Sequence, residues 1–128
     1  MEGFSNLCGK VAAVLFIIAN VYFPAKQIAR RFTVWTKETA DFFRVYLVLH
    51  GVLNTIAFCA LILHGHYAEE HNYVLQASFI LTVFLILQGL IMQYKLAPGV
   101  QRQMRILHTQ QALFFVWVAL IIIGHAIA

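Results

Sequence analysis

Residues 49–71 read LHGVLNTIAFCALILHGHYAEEH, and this stretch decides how the fold of the whole chain is interpreted. It opens with His50, continues as a largely apolar run to His64, and ends in a polar segment. A second apolar stretch near the C-terminus repeats the pattern with His108 and His125. Ionisable side chains within a membrane helix are costly and are usually functional. These histidines are therefore the first candidates for a functional site.

The composition predicts an integral membrane protein. Of the 128 residues, 62% are hydrophobic and only 11% are charged, whereas a soluble domain is about half apolar and a quarter charged. The length allows one domain, residues 1–128. The net charge of +4 comes from basic residues gathered in the connections between apolar segments, which excludes a nucleic-acid-binding surface.

Four apolar segments are each close to the ~20 residues that cross a bilayer. They predict an all-α fold, a bundle of four transmembrane helices with spans at about 6–23, 41–66, 73–95 and 102–128. Pro24 is expected to end or kink the first span, because proline lacks a backbone N–H. Residues 25–40 mix basic and apolar side chains, which suits a helical extension or an interfacial segment.

The basic residues predict the orientation of these spans. Eight of the nine flank the first and third connections, and only Lys10 lies near the opposite side. The eight are Lys26, Arg30, Arg31, Lys37, Arg44, Lys95, Arg102 and Arg105. Positive residues favour the cytoplasmic side. Both termini and the loop around residues 67–72 are then non-cytoplasmic, in the inner membrane if the protein is prokaryotic.

The spacing of the histidines predicts two sites at different depths. His50 and His64 lie about 21 Å apart along an ideal helix and within about 40° of one face. His108 and His125 lie about 25 Å apart, with about 100° between their directions. Spans two and four run in the same direction, so His50 pairs in depth with His108 near the cytoplasm, and His64 with His125 near the outside.

Two imidazoles at one depth are what a low-spin b-type haem requires, one on each side of the porphyrin. The sequence thus predicts two haem b groups per chain, with one as the alternative. The haem propionates need nearby cations, for which Arg44, Arg102 and Arg105 are the candidates. Glycines beside the ligands would let a flat ring approach the backbone; these are Gly51, Gly65, Gly89 and Gly124.

The paired histidines His50-x13-His64 and His108-x16-His125 resemble the multi-helix, di-haem b-type cytochromes, which act as quinone-linked anchors and transmembrane reductases. The resemblance covers residues 41–128 as a pattern. It implies electron transfer across the membrane, with a quinone or other redox subunits as partners. It also implies a chain that works as a subunit or homo-oligomer.

Two other interpretations stay open. His64, His66 and His71, with the neighbouring carboxylates, could bind copper or zinc at the outer surface. Against this, residues two apart do not share a helix face, and histidines near a span end are commonly interfacial. The chain could also be a cofactor-free structural subunit of a membrane complex, in which polar side chains such as Asn20 and Asn54 bond between helices.

Overall fold

The computed structural model describes residues 1–68 and 72–128, which form helices and contain no strand. The helices are α1 (Glu2–Asn20), α2 (Tyr22–Phe32), α3 (Lys37–Tyr67), α4 (Tyr73–Tyr94), α5 (Gln101–His108) and α6 (Gln111–Ala126), with a 3-10 turn at Pro98–Val100. The predicted all-α class is confirmed. Three helical stretches are long and apolar enough to cross a membrane, or four if the bent α5–α6 pair forms one span.

The first apolar segment continues into the basic segment that follows it. α1 ends at Asn20 and α2 begins at Tyr22, and together they form a helical stretch of 31 residues. Pro24 cannot donate to the carbonyl four residues earlier, which belongs to Asn20, so the hydrogen-bonding series is interrupted there. Because Pro24 lies in the first turn of α2, where a missing N–H is tolerated, the helix resumes at once.

The second and third spans form helices close to the predicted bounds, and each begins at a side-chain cap. Thr36 accepts a hydrogen bond from the backbone N–H of Thr39 at 3.2 Å and caps α3. Asn72 accepts one from Leu75 N–H at 2.9 Å and caps α4. Such caps satisfy backbone donors that a helix start leaves open.

The chain divides into two compact units, Met1–Ala68 and Glu69–Ala128. In the first unit, α1 packs antiparallel along α3. The buried face of α1 repeats every three or four residues and carries mostly small side chains: Ser5, Cys8, Ala12, Phe16 and Ala19. Small residues let helix backbones approach closely. The opposing Ala57 of α3 is fully buried, so the seam between the two helices is narrow.

In the second unit, α4 packs against α6 through polar contacts at buried positions. Trp117 donates from Nε1 to Oγ1 of Thr82 at 2.7 Å, and Thr82 donates to the carbonyl of Ser78 at 2.7 Å. At the end of this contact, Asn72 donates from Nδ2 to the Gly124 carbonyl at 2.9 Å. A side chain at position 124 would meet Leu75, since an added Cβ would lie 2.6 Å from Leu75 Cδ2.

The segment predicted as the fourth span, 102–128, is not one straight helix. α5 and α6 meet at a bend of 60°. Thr109 donates from Oγ1 to the Arg105 carbonyl at 2.8 Å, and Gln110 takes an extended conformation with ψ 114. Side-chain back-bonding of this kind competes with helix continuation. The angle of about 100° between His108 and His125, which assumed an ideal helix, therefore does not apply.

The glycine at position 124 supports the α4–α6 contact, and Gly124→Ala is expected to destabilise it. The added Cβ would also lie 3.2 Å from the backbone nitrogen of Leu75, which cannot move away as a side-chain end can. Overpacking of this kind typically costs about 1–3 kcal/mol. Thermal unfolding in detergent should show a lower melting temperature than for Gly3→Ala, where nothing lies within 4 Å of the added Cβ. Equal melting temperatures would contradict this close packing.

Candidate functional site

His50 lies in the seam between α1 and α3. Its Nδ1 is 2.9 Å from the backbone carbonyl oxygen of Ala19 in α1, and its ring lies 5.9 Å from the ring of Tyr22. The side chain is half-buried. The imidazole is thus placed by α1 as well as by its own helix, which sequence spacing along α3 alone does not reveal.

His64 occupies the equivalent place at the other end of the seam. Its Nδ1 is 2.9 Å from the Ser5 carbonyl oxygen and 3.1 Å from Ser5 Oγ. Ser5 also donates from Oγ to the His64 carbonyl at 3.1 Å. The ring lies against Gly9, where an added Cβ would be 3.0 Å from both Cε1 and Nδ1. Gly9 therefore makes the space that this imidazole occupies.

The two histidines of the second unit lie in different settings. His108 is the last residue of α5 and is half-buried; its Cε1 would lie 3.6 Å from a Cβ added at Gly89 of α4. His125 is exposed near the end of α6, with Nδ1 2.8 Å from the carbonyl oxygen of Ile121 on the same helix. In the chain, His108 thus comes before α6, and His125 lies in the last turn of α6.

Three of the four predicted ligands share one hydrogen-bonding feature. Nδ1 of His50, His64 and His125 each lies 2.8–2.9 Å from a backbone carbonyl oxygen. A carbonyl oxygen only accepts, so Nδ1 carries the proton and the basic lone pair of the neutral ring is on Nε2. Metal-binding histidines are commonly oriented in this way, with the other ring nitrogen donating to a carbonyl.

Two asparagines complete the surroundings of His50. Asn54 donates from Nδ2 to the His50 carbonyl at 2.8 Å, and the same nitrogen lies 3.4 Å from Nε2 of the ring. Asn20 of α1 donates to Asn54 Oδ1 at 3.2 Å. The interhelical role predicted for these asparagines is confirmed. Asn54 Nδ2 also lies 3.3 Å from Nδ1 of the His50 ring, so this amide lies near both ring nitrogens.

The glycines that the sequence singled out lie in different surroundings, and their role beside a haem stays a prediction. A Cβ at Gly65 would meet nothing within 4 Å, and Leu75 lies beside Gly124. Gly9, which the sequence did not single out, accommodates an imidazole. The antiparallel pairing of α1 with α3 is the signal that would have placed Ser5 and Gly9 opposite His64.

The predicted propionate partners lie on the surface. Arg44 forms an ion pair with Asp41 at 3.2 Å, and its side chain is 78% exposed. Arg102 and Arg105 are exposed on α5. An exposed ion pair is worth little, so Arg44 remains able to exchange its partner for another anion.

The outer metal site proposed from His64, His66 and His71 is brought together only in part. His66 is exposed and packs edge-on against Tyr67 with ring centroids 4.8 Å apart, while the His64 ring faces α1. His71 lies outside the described residues. Within residues 1–68 and 72–128, no three histidine, cysteine or acidic side chains form a group that could bind a metal ion.

No family model, curated protein or solved structure matches the chain. The function is therefore inferred from the residues and their geometry.

Gln88 of α4 is a buried amide. It is 1% exposed, and neither Nε2 nor Oε1 has a hydrogen-bond partner among residues 1–68 and 72–128. Burying an amide without a partner costs about 1–3 kcal/mol. Position 88 therefore carries a local energetic cost within an otherwise apolar helix.

Replacing this amide by an apolar side chain of similar length should stabilise the protein. We expect Gln88→Met to raise the melting temperature in detergent, since the unsatisfied amide is removed and the volume is kept. Gln93→Met, at an exposed position of the same helix, is the control and should have little effect. A lower melting temperature for Gln88→Met would show that the amide is hydrogen-bonded in the folded protein.

Proposed function

We propose that this chain is a membrane b-type cytochrome that carries electrons across or within the membrane. The observation that supports this best is the placement of His50 and His64. Both imidazoles lie in one helix seam, and each has Nδ1 against an α1 carbonyl oxygen at 2.9 Å. This orientation places the basic lone pair on Nε2, the nitrogen that coordinates haem iron when Nδ1 is hydrogen-bonded.

Bis-histidine ligation needs two imidazoles for each iron, which is the number that this proposal assigns to each haem. When bound, the haem supplies a one-electron redox centre whose potential depends on its ligands and surroundings. The chain's own part is to hold the imidazoles, to fix their tautomer and to exclude water.

In this proposal, the backbone carbonyl groups of Ala19 and Ser5 orient the imidazoles of His50 and His64. A hydrogen bond from Nδ1–H to a backbone oxygen fixes the ring orientation and leaves the lone pair on Nε2. Gly9 leaves room for the His64 ring. The Asn54 amide nitrogen lies 3.3 Å from Nδ1 and 3.4 Å from Nε2 of His50, and it would lie beside the haem-binding imidazole.

The sequence predicts the remaining ligands and the membrane arrangement. In the proposed four-helix bundle, His50 and His108 would hold one haem, and His64 and His125 would hold the other. The two sites would lie at different depths, because His50 and His64 are about 21 Å apart along an ideal helix. The basic connections are cytoplasmic and both termini are on the other side.

The partners follow from the resemblance. In this proposal, electrons are exchanged with a quinone or with another redox subunit. The protein works as a subunit or homo-oligomer in this proposal. Arg44, Arg102 and Arg105 are the proposed counter-charges for the propionates.

Haem content tests the ligand assignment. We expect His50→Ala and His108→Ala each to lower the pyridine-haemochrome yield of purified protein by about half, and the double variant to lose no more than either one. His64→Ala and His125→Ala should together remove the other half. His66→Ala is the matched control and should keep full haem. Protein that contains no haem, or that keeps it in all four variants, would overturn the proposal.

The fit between Gly9 and His64 gives a second test. In Gly9→Ala, the added Cβ would lie 3.0 Å from two atoms of the imidazole, whereas Gly65→Ala adds a Cβ with nothing within 4 Å. The ring must move, which weakens its bond to the Ser5 carbonyl. We expect Gly9→Ala to reduce the haem that depends on His64 several-fold and Gly65→Ala to leave it unchanged. The haem that depends on His50 should persist in both, and equal behaviour of the two variants would contradict the role of Gly9.

A further inference from the structure

The helical stretch formed by α1 and α2 is longer than the hydrocarbon core of a bilayer is thick, so one end of it lies outside that core. Glu2–Phe32 contains 31 residues, which as a helix is about 46 Å long. The hydrocarbon core of a bilayer is only about 30 Å thick. No charged residue lies between Lys10 and Lys26, so that interval is the natural membrane-buried part. α2 from Lys26 onward then lies at headgroup level.

Four cations lie between the middle of α2 and the first residue of α3, and we call them the α2–α3 basic surface. They are Lys26, Arg30, Arg31 and Lys37. Within residues 1–68 and 72–128, the one ion pair is that between Arg44 and Asp41. No described carboxylate therefore lies within ion-pair distance of the four cations. The surface has a strong positive potential and available hydrogen-bond donors.

Aromatic side chains position part of this surface. The guanidinium of Arg30 lies 4.9 Å from the centre of the Trp35 ring. Trp35 in turn stacks on Phe43 of α3, with ring centroids 5.6 Å apart and planes within 14°. Phe43 is buried, so the stack connects Arg30 to the packed part of the unit. A guanidinium held over an aromatic ring loses less freedom when it binds an anion.

Apolar side chains lie beside these cations and are not covered by the described chain. Phe32 is 75% exposed and Val34 is 82% exposed. Alternating basic and exposed apolar residues at a membrane surface are typical of segments that insert apolar groups among lipid headgroups while the cations bind phosphates. A soluble anion would satisfy the cations but would leave Phe32 and Val34 exposed to water.

We propose that the α2–α3 basic surface binds the phosphate headgroups of anionic phospholipids, with Arg30 and Arg31 as the principal contacts. The charge of the cluster, the Arg30–Trp35–Phe43 stack and the exposed Phe32 and Val34 together favour a lipid over a free phosphate ion. This binding is independent of haem. It would anchor the α2–α3 connection at the membrane surface and hold α1 and α3 in register there.

The test compares lipid binding to the full chain in detergent, read by native mass spectrometry. Phosphatidylglycerol, phosphatidylcholine and inorganic phosphate are the three probes. We expect phosphatidylglycerol to bind at least tenfold more tightly than phosphatidylcholine. Each basic residue near an anionic surface contributes about a fivefold factor, so Arg30→Gln with Arg31→Gln should weaken phosphatidylglycerol binding by up to about 25-fold.

Two control variants keep the test decisive. Lys10→Gln removes one charge from the opposite end of the first helical stretch, as Arg30→Gln alone does from the basic surface, and should leave binding nearly unchanged. Arg30→Lys with Arg31→Lys keeps the charge and should retain most of the binding, which separates charge loss from misfolding. Equal loss in Lys10→Gln and Arg30→Gln would show attraction by net charge alone. That outcome would overturn the proposal. Equal binding of phosphatidylglycerol and phosphatidylcholine would also overturn it, as would full competition by inorganic phosphate.

Discussion

The contact between α1 and α3 determines most of what the first unit can do. Small side chains on α1, such as Ala12 and Ala19, let the two backbones approach closely. Because the backbones are close, imidazoles on α3 reach carbonyl oxygens on α1. His50 and His64 are therefore held by main-chain atoms, whose positions do not depend on side-chain rotamers. A wider helix pair would leave both rings without these acceptors.

The close approach of α1 and α3 also determines which nitrogen of each imidazole carries the proton. A hydrogen bond to a carbonyl oxygen selects one tautomer of a neutral imidazole, and so the proposed metal-binding nitrogen is set by helix packing before any cofactor binds. Gly9 and Ser5 matter for the same reason, since one makes room for the His64 ring and the other supplies its acceptor. The second unit is organised differently, with a buried tryptophan–threonine hydrogen bond between α4 and α6.

Much of the helical pattern could be predicted from sequence, because long apolar runs are local signals. The observed bounds of α3 and α4 lie near the predicted ones, and the caps at Thr36 and Asn72 are seen only in the structure. The bend after His108 was missed, since Gln110 leaves the helical conformation with ψ 114 and no proline or glycine marks that place in the sequence. The partners of His64 were missed as well, because Ser5 lies 59 residues away and only helix pairing brings it close. Whether His108 and His125 complete the proposed sites stays a prediction.

Electron paramagnetic resonance of the oxidised, purified protein at low temperature tests the central claim most directly, because it reports on the iron and its axial ligands together. The account predicts low-spin ferric signals typical of two imidazole ligands, with one component lost in His50→Ala and another in His64→Ala. Protein without any ferric haem resonance, or with a high-spin signal from iron that lacks a second imidazole, would contradict it.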